Sequence, residues 1–280
     1  MISRKVWMIT GASSGFGKAF TEYAVNKGHR VIATGRNEKK LQALAAIAPQ
    51  LISAYTMDVT NAAAVNEVVA KAIEQFGKID VLFNNAGYGI VGAVEETPEA
   101  ELRSQMETNF FGAVNVIQAV VPHMRLAKSG AIVNISSLGG QLSVAGFGPY
   151  SASKFALEGL SEALAQELAP FNIKVLIVEP GAFRTDFAGD ALKHMPKIDA
   201  YDSIVGGTRA FAKGMHHTQA GDPKKAAKII DEALQNAQTP LRLQLGADAI
   251  DSVRQHARQL LADLESWENV SRQVVIDSSN

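Results

Sequence analysis

The sequence predicts an α/β protein built on a doubly wound parallel sheet of about seven strands, with helices on both faces in three layers. Short β-branched apolar runs alternate with longer amphipathic segments, and no Pro-, Gly- or Ser-rich linker or short repeat interrupts them. The runs are apolar almost throughout, which is typical of parallel strands covered on both faces. We therefore expect one domain over residues 1–280.

Seven runs are predicted to be strands, namely KVWMIT, RVIATG, LISAYTMD, IDVLFNN, GAIVNISS, IKVLIVEP and LRLQLG. The first two predicted helices lie between about 15 and 45, where the second helix ends. The others are predicted at 61–76, 98–126, 150–169, 223–236 and 247–264. Both patterns fade between about 182 and 222. Long irregular segments of compact domains are commonly lids or binding loops, so we expect a variable substrate-binding loop there.

The composition excludes several classes of function. The chain has 280 residues, a net charge of -1 and no cysteine. There is no basic excess for nucleic acid or anionic lipid, and neither disulfides nor thiolate metal sites can form. No apolar run approaches the roughly 18 residues that span a bilayer, and the first run is too short for a signal peptide. We expect a soluble cytoplasmic protein without nucleic-acid or membrane partners.

The stretch TGASSGFG, residues 10–17, follows the first predicted strand and opens the first helix. Glycine costs roughly 1 kcal/mol at a helical position, so three glycines here indicate that something approaches the backbone closely. The exposed N–H groups of a helix start bind phosphate. Gly11 is expected to make the turn, Gly15 to admit a pyrophosphate and Gly17 to let the helix pack on the sheet. The predicted nucleotide contacts in this stretch are Gly11, Ser13, Ser14, Gly15, Phe16 and Gly17.

From about Lys5 to Thr185 the chain resembles the single-domain short-chain dehydrogenases/reductases. TGASSGFG is similar to the glycine motif of that family, NNAG (84–87) to its motif after the fourth strand, and YSASK (150–154) to its YxxxK. NISS and EPGAFRT fall where the family has its serine and its PG motif. The resemblance implies a Rossmann-like fold and hydride transfer with a nicotinamide cofactor. NNAGYGIVGAVEE and the extended C-terminal part look like the hydroxysteroid-dehydrogenase type of member.

Tyr150 and Lys154 are predicted to act together, because residues four apart share one face of a helix. Free tyrosine has a pKa near 10 and is a poor acid or base at neutral pH. A cation about 5 Å away at an effective dielectric near 20 favours the phenolate by roughly 3 kcal/mol, or about two pKa units. We expect a lowered pKa for Tyr150 and a general acid/base role. The alternative is a surface helix contact.

Two further residues complete the predicted catalytic group. Ser137 lies thirteen residues before Tyr150, at the end of a strand, so both hydroxyls can reach one carbonyl oxygen. Ser136 is the alternative, although it can instead satisfy nearby backbone groups. The resemblance implies that Asn109 holds a water that relays protons to Lys154; the alternative is a kinked helix or an exposed asparagine.

The resemblance implies further cofactor contacts, for which ordinary loop residues are the alternative. These are Asp58 and Val59 beside the adenine, Asn84 between the central strands, Asn85, Ala86 and Gly87 along the site, Tyr150 and Lys154, and Pro180, Gly181 and Thr185 beside the nicotinamide.

The end of the second strand predicts the choice of cofactor. NAD-specific folds place an acidic residue there, which repels a 2′-phosphate. Here Gly35 stands in that place and Arg36 follows, so a guanidinium can pair with the phosphate. Many NADP-preferring members also have a basic residue where this chain has Ser14. We expect NADP(H), with a solvated helix-start charge as the alternative interpretation of Arg36.

The predicted reaction interconverts a ketone or aldehyde and an alcohol, in the reducing direction in cells, on a largely apolar small molecule. The alternatives are a non-catalytic NADP-sensing protein and a sugar-nucleotide epimerase or dehydratase, which usually needs a larger C-terminal domain. The apolar residues of the 182–222 loop are expected to be either a substrate lid or buried anchors. They are Met195, Ile198, Tyr201, Ile204, Phe211 and Met215.

No metal site is predicted, because His216 and His217 are adjacent and His194 is distant, with no carboxylate at ligand spacing. The helices within 98–126 and 150–169 carry more apolar and small residues than one inward face requires. In the family these helices form a dimer interface, so a homodimer or homotetramer is expected.

Overall fold

The computed structural model describes residues 4–189, 191–215 and 218–276. Its nine strands are β1 (Val6–Ile9), β2 (Arg30–Gly35), β3 (Ile52–Thr56), β4 (Val81–Asn84), β5 (Gly89–Val91), β6 (Gly130–Ile135), β7 (Ile173–Pro180), β8 (Leu192–His194) and β9 (Arg242–Leu245). Seven form one sheet in the order β3-β2-β1-β4-β6-β7-β9, with all neighbours parallel. The predicted doubly wound sheet and its seven strands are confirmed.

Nine α-helices connect the strands in the described ranges. They are α1 (Gly15–Asn26), α2 (Glu38–Ala45), α3 (Ala62–Phe76), α4 (Glu99–Met106), α5 (Gly112–Ala127), α6 (Gly148–Leu168), α7 (Asp202–Gly214), α8 (Pro223–Gln235) and α9 (Ala247–Ser271). The last helix runs further than the predicted 247–264. None of the helices in these ranges combines the length and apolarity needed to cross a bilayer.

Each face of the sheet has its own apolar core, because successive strand side chains point to opposite faces. In β1, Trp7 and Ile9 join the core with α1, α2 and α8, whereas Val6 and Met8 join the core with α3, α5 and α6. All four residues of β1 are buried. Burial on both faces explains why the strands read as continuous apolar runs.

The expectation that 182–222 lacks regular structure is wrong in part. β8 lies there and pairs in parallel with β5 to form a separate two-stranded sheet. The helix α7 lies there as well, and its buried residues are Val205, Arg209 and Ala212. The adjacent Gly206 and Gly207 inside α7, a residue type that disfavours helix interiors, explain why no helix is predicted there.

The single helix predicted at 98–126 is also corrected. A five-residue π-helical segment, Glu107–Phe111, separates α4 from α5. Asn109 lies in this segment with 2% of its surface exposed. Such segments inside α-helices occur frequently at functional sites.

Candidate active site

The carboxyl ends of β1, β4, β6 and β7 lie at one edge of the sheet, where two adjoining cavities open. The first, which we call the nucleotide cleft, has about 860 Å³ and lies between the glycine loop (10–17), the end of β2 and the segment 57–60. The second, the apolar cavity, has about 430 Å³ and lies between the ends of β6 and β7 and α6. The residues shared by both linings are Phe16, Asn85, Gly87, Tyr88, Thr185 and Phe187.

The glycine loop has the geometry expected of a phosphate cradle. Gly11 and Gly15 have φ of 62° and 49°, in the left-handed region where glycine is not penalised. A Cβ on Gly17 would collide with the carbonyl oxygen of Gly11 and lie 2.8 Å from the Cα of Ala12. The helix α1 starts at Gly15 without a side-chain cap from Ser14, so its first N–H groups are left for a ligand.

Thr10 is a residue that sequence reasoning missed. Its hydroxyl accepts hydrogen bonds from the backbone N–H of Asn85 (2.9 Å) and of Ala86 (3.0 Å). In return, the Asn85 amide donates to the carbonyl of Thr10 at 2.9 Å. These bonds hold the loop after β1 against the loop after β4. Their only sequence signal is the position of Thr10 at the start of the glycine motif, since the partners lie 75 and 76 residues away.

Asn84 behaves as the resemblance implies. Its amide donates to Asn134 Oδ1 at 2.8 Å, across the buried pair of β4 and β6. Asn134 in turn donates to Ser161 of α6 at 2.8 Å. The two central strands and the helix that carries Tyr150 are therefore tied together below the site.

Most of the predicted cofactor residues line the nucleotide cleft. They are Gly11, Ser13, Ser14, Gly15, Phe16, Arg36, Asp58, Val59, Asn85, Ala86, Gly87 and Thr185. Gly17 lines neither cavity and packs beneath the loop. The cleft also contains two cations that sequence reasoning did not single out, Lys40 and Lys193. Lys193 forms an ion pair with Glu101 at 2.8 Å.

Ser137, Tyr150 and Lys154 line the apolar cavity together. The Lys154 ammonium lies 5.8 Å from the centre of the Tyr150 ring. Burial raises the pKa of Tyr150 to about 12, and the facing Ser137 hydroxyl opposes this rise. The expected lowering of the Tyr150 pKa by Lys154 is therefore absent here, because desolvation of the phenolate outweighs the favourable interactions.

Lys154 is itself buried and donates to the carbonyl oxygen of Ile135 at 2.8 Å. Burial lowers its pKa to about 8, and the carboxylate of Glu158 opposes this fall. The Lys154 ammonium thus points to the end of β6. At weakly alkaline pH a fraction of the Lys154 side chains is neutral.

The two candidate serines are separated by their orientation. Ser137 faces Tyr150, and its oxygen accepts from the Gly139 N–H at 3.0 Å. Ser136 faces Glu158 instead. This arrangement favours Ser137 over Ser136 as the partner of Tyr150.

Asn109 uses its side chain to hold other protein groups. Its Oδ1 accepts from the Tyr88 N–H at 3.1 Å, and its Nδ2 donates to the Tyr88 carbonyl at 2.9 Å and to Ser153 at 3.0 Å. The amide therefore fixes the loop after β4 to α6, directly behind Gly87, where a Cβ would lie 3.1 Å from Oδ1. The role in holding a water that the resemblance implies for Asn109 stays a prediction.

The end of β7 brings Pro180 to the apolar cavity, and the loop that follows brings Gly181 and Thr185. Thr185 packs over Gly15, where a Cβ would lie 3.4 Å from the Thr185 Cβ. Asp248, at the start of α9, is a second residue that sequence reasoning missed. It accepts from the Ala182 N–H at 2.7 Å and contacts Gly181. A residue 66 positions later in the chain therefore holds the loop after β7 in place.

The rest of the apolar cavity is mainly aliphatic and aromatic. Its lining includes Leu138, Leu142, Val144, Phe147, Phe183, Phe187 and Leu192. Of the six apolar loop residues, Phe211 and Met215 also line it, while Met195 is buried and Ile198 and Ile204 are 38% and 60% exposed. The hydroxyl of Tyr201 donates to Glu95 at 2.6 Å. The segment 182–222 therefore contains both residues that line the apolar cavity and a buried anchor.

In the part of the chain that the structure describes, no group of three His, Cys, Asp or Glu side chains is placed to hold a metal ion. His194 lies in β8, whereas His216 and His217 lie outside the described residues.

The residues present fit a dinucleotide. A Cβ on Gly11 would lie 3.0 Å from the Ala86 Cα, so glycine at this position lets the loops after β1 and β4 meet closely beside the cleft. The open start of α1 offers N–H donors for a pyrophosphate, and Arg36 lies at the end of β2 where the adenosine ribose is bound in such folds. From there the cleft continues to Tyr150 and Lys154 in the apolar cavity.

Comparison with known proteins agrees with this geometry. The family described as short chain dehydrogenase matches residues 5–196. A 3-ketodihydrosphingosine reductase from Bacteroides thetaiotaomicron is 40% identical over 251 residues, 86% of this chain and 88% of that protein. A short-chain dehydrogenase from Streptomyces avermitilis has a TM-score of 0.93 at 50% identity and covers 98% of this chain and 100% of its own.

A serine dehydrogenase complexed with NADP+ superposes with a TM-score of 0.74 at 26% identity, covering 86% of this chain and 94% of its own. The family match spans more than half of the sequence and includes the glycine loop, Ser137, Tyr150 and Lys154. The chain is an oxidoreductase that belongs to the short-chain dehydrogenase/reductase family.

Proposed function

We propose that the protein reduces a ketone or aldehyde to an alcohol with NADPH. The observation that carries the proposal is the position of Ser137, Tyr150 and Lys154 in one cavity that adjoins a glycine-loop nucleotide cleft. The relative named as a 3-ketodihydrosphingosine reductase supports carbonyl reduction within this family.

When bound, NADPH supplies the hydride. Tyr150 donates a proton to the carbonyl oxygen, and Ser137 donates a hydrogen bond to the same oxygen. A tyrosine whose pKa is raised to about 12 is protonated at neutral pH, so the resting protein holds the proton that carbonyl reduction consumes. The Lys154 ammonium would hold the ribose of the cofactor, and it stabilises the negative charge that the phenol acquires after donation.

NADPH is favoured over NADH by the end of β2. Gly35 provides no carboxylate to repel a 2′-phosphate, and Arg36 lines the cleft directly after it. Lys40 lines the cleft from the first turns of α2 and adds positive charge there. The serine dehydrogenase with a similar fold was solved with NADP+, which supports the proposal of a phosphorylated cofactor.

We further propose a largely apolar substrate and a homo-oligomer. The walls of the apolar cavity beyond Ser137 and Tyr150 are mainly hydrocarbon, so a polar substrate would be desolvated without replacement hydrogen bonds. Phe111, directly before α5, and Phe155, on α6, are 45% and 47% exposed. Such aromatic surface on these helices favours pairing with a second copy.

The experiment that tests the function is a panel of ketones, aldehydes and alcohols, followed at the absorbance band of NADPH. We expect oxidation of NADPH with apolar ketones or aldehydes. Cofactor binding without turnover on any compound would favour an NADP-sensing protein. Conversion of a sugar nucleotide without net NADPH consumption would favour an epimerase or dehydratase.

A further inference from the structure

The helix α6 carries a third ionisable residue on the face of Tyr150 and Lys154. Glu158 follows Lys154 by four residues, as Lys154 follows Tyr150, so the three side chains stack along one side of the helix. All three are buried, and Glu158 is 4% exposed. The mechanism above uses the first two and leaves Glu158 without a role.

Glu158 belongs to a buried cluster with an excess of negative charge. Arg242 of β9 contacts Glu158 at 3.1 Å and Glu179 of β7 at 3.3 Å. It also contacts Glu162, on the exposed side of α6, at 2.7 Å. Three carboxylates therefore share one guanidinium, and Glu158 and Glu179 are both buried.

Neutral groups supply the remaining contacts of the cluster. The Gln141 amide donates to Glu158 at 3.2 Å and to Glu179 at 3.0 Å, and the Gln244 amide donates to Glu179 at 2.7 Å. On the side of the catalytic group, the Ser136 hydroxyl faces Glu158 across Gly140. The titratable and charged groups that face Glu158 are therefore Lys154, Glu162, Glu179 and Arg242.

A buried carboxylate is costly unless an opposite charge compensates it. Arg242 is divided among three carboxylates, so Glu158 has incomplete compensation on that side. On the other side, Lys154 precedes Glu158 by one helical turn, and its buried ammonium donates to the neutral carbonyl of Ile135. Opposite charges in a buried region act on each other over longer distances than in water, so the Glu158 carboxylate favours the charged form of Lys154.

The electrostatic shifts agree with this geometry. Burial lowers the pKa of Lys154 to about 8, and Glu158 is the charged group that opposes the fall. Burial also raises the pKa of Glu158, and Arg242 opposes that rise. The pKa of Glu179 is raised to about 7, again by burial, so this second carboxyl is largely ionised at the alkaline pH where Lys154 titrates.

We propose that Glu158 is a positioning residue whose buried carboxylate keeps the Lys154 ammonium charged and thereby sets the alkaline limit of activity. The proposal rests on the proposed function, because it assigns Glu158 a part in NADPH-dependent reduction. The protonated form of Lys154 is the active one. Activity is therefore lost as the pH rises through the pKa of Lys154, and removal of the neighbouring negative charge moves that loss to lower pH.

The test compares Glu158→Gln with the matched control Glu162→Gln, which removes a carboxylate of the same cluster from its exposed side. For each, kcat/KM and the Kd of NADPH are measured from pH 6 to 10, the Kd by fluorescence titration without turnover. In Glu158→Gln we expect kcat/KM to fall about tenfold relative to the unmodified protein at pH 8.5 and by less than about twofold at pH 6.5. The alkaline weakening of NADPH binding should move in parallel, and Glu162→Gln should leave both profiles in place.

A fall of similar size at every pH, or the same displacement in both variants, would overturn the proposal. Glu158→Asp keeps the negative charge, so the pH at which kcat/KM falls should stay close to that of the unmodified protein. If Glu158→Gln does not fold, Glu158→Met, which has a similar volume and no charge, replaces it and should show the same displacement. If the unmodified protein has no reductase activity, the proposed function fails, while the Kd profiles still decide whether Glu158 controls Lys154.

Discussion

The carboxylate of Glu96 and the guanidinium of Arg209 form a buried ion pair, with 2.6 Å between Oε2 and Nη2. Glu96 follows β5, and Arg209 belongs to α7, which supplies Phe211 to the apolar cavity. Glu96 also accepts from the Ile198 N–H at 2.8 Å, and Arg209 donates to the Met195 carbonyl at 2.9 Å. The pair therefore connects α7 and the preceding segment 195–198 to the loop after β5.

We expect Arg209→Met to destabilise the protein by about 3–5 kcal/mol, because it leaves the buried Glu96 charge without its partner. The measurement is urea unfolding at pH 7. Lys197→Met is the control, since the ion pair of Lys197 with Asp202 is exposed and should contribute about 0–1 kcal/mol. Equal losses in the two variants would contradict the structural role of the buried pair.

The same pair predicts a pH dependence of stability. Hydrogen bonding from the Ile198 N–H, with further help from Ala93 and Arg209, holds the pKa of Glu96 below its ordinary value despite burial. A carboxyl with a depressed pKa contributes stability above its unfolded-state pKa and loses it as the pH falls through the folded-state value. The unfolding free energy of the unmodified protein should thus fall on acidification more steeply than that of Glu96→Gln.

Gly17 is expected to tolerate no side chain. Gly17→Ala would force its Cβ into the carbonyl oxygen of Gly11, so we expect loss of NADPH binding and a lowered melting temperature. The control is Gly207→Ala, in the interior of α7, where a Cβ meets nothing within 4 Å. That variant should be stabilised by about 0.5–1 kcal/mol. Unchanged cofactor affinity in Gly17→Ala would refute the close packing of the loop.

Cofactor preference tests the role of Arg36. A charge-assisted hydrogen bond contributes about 1.5–3 kcal/mol, or about one to two decades, so kcat/KM should favour NADPH over NADH by at least about tenfold. Gly35→Asp combined with Arg36→Ala should reverse the order. The new Cβ has room, because it would lie 3.4 Å from Ser13 Oγ. Equal use of both cofactors by the unmodified protein would show that Arg36 is only a solvated charge.

The sheet could be predicted from the sequence because burial on both faces leaves a local signal in each strand, as in VWMI of β1. The motif residues were predictable for a similar reason, since glycine positions and the Tyr150 to Lys154 spacing are short-range. The Glu96 to Arg209 pair spans 113 residues and follows only from the folded topology. The raised pKa of Tyr150 also depends on burial that the spacing alone did not reveal.

The central claim is that Tyr150 is the proton donor of an NADPH-dependent reductase. The most direct test is the turnover of Tyr150→Phe on a ketone or aldehyde that the unmodified protein reduces, measured beside its NADPH affinity. The account predicts that NADPH binds with nearly unchanged affinity while turnover falls by at least about 10² to 10⁴, the usual effect of removing a general acid. Near-normal turnover with the cofactor bound would contradict the assignment.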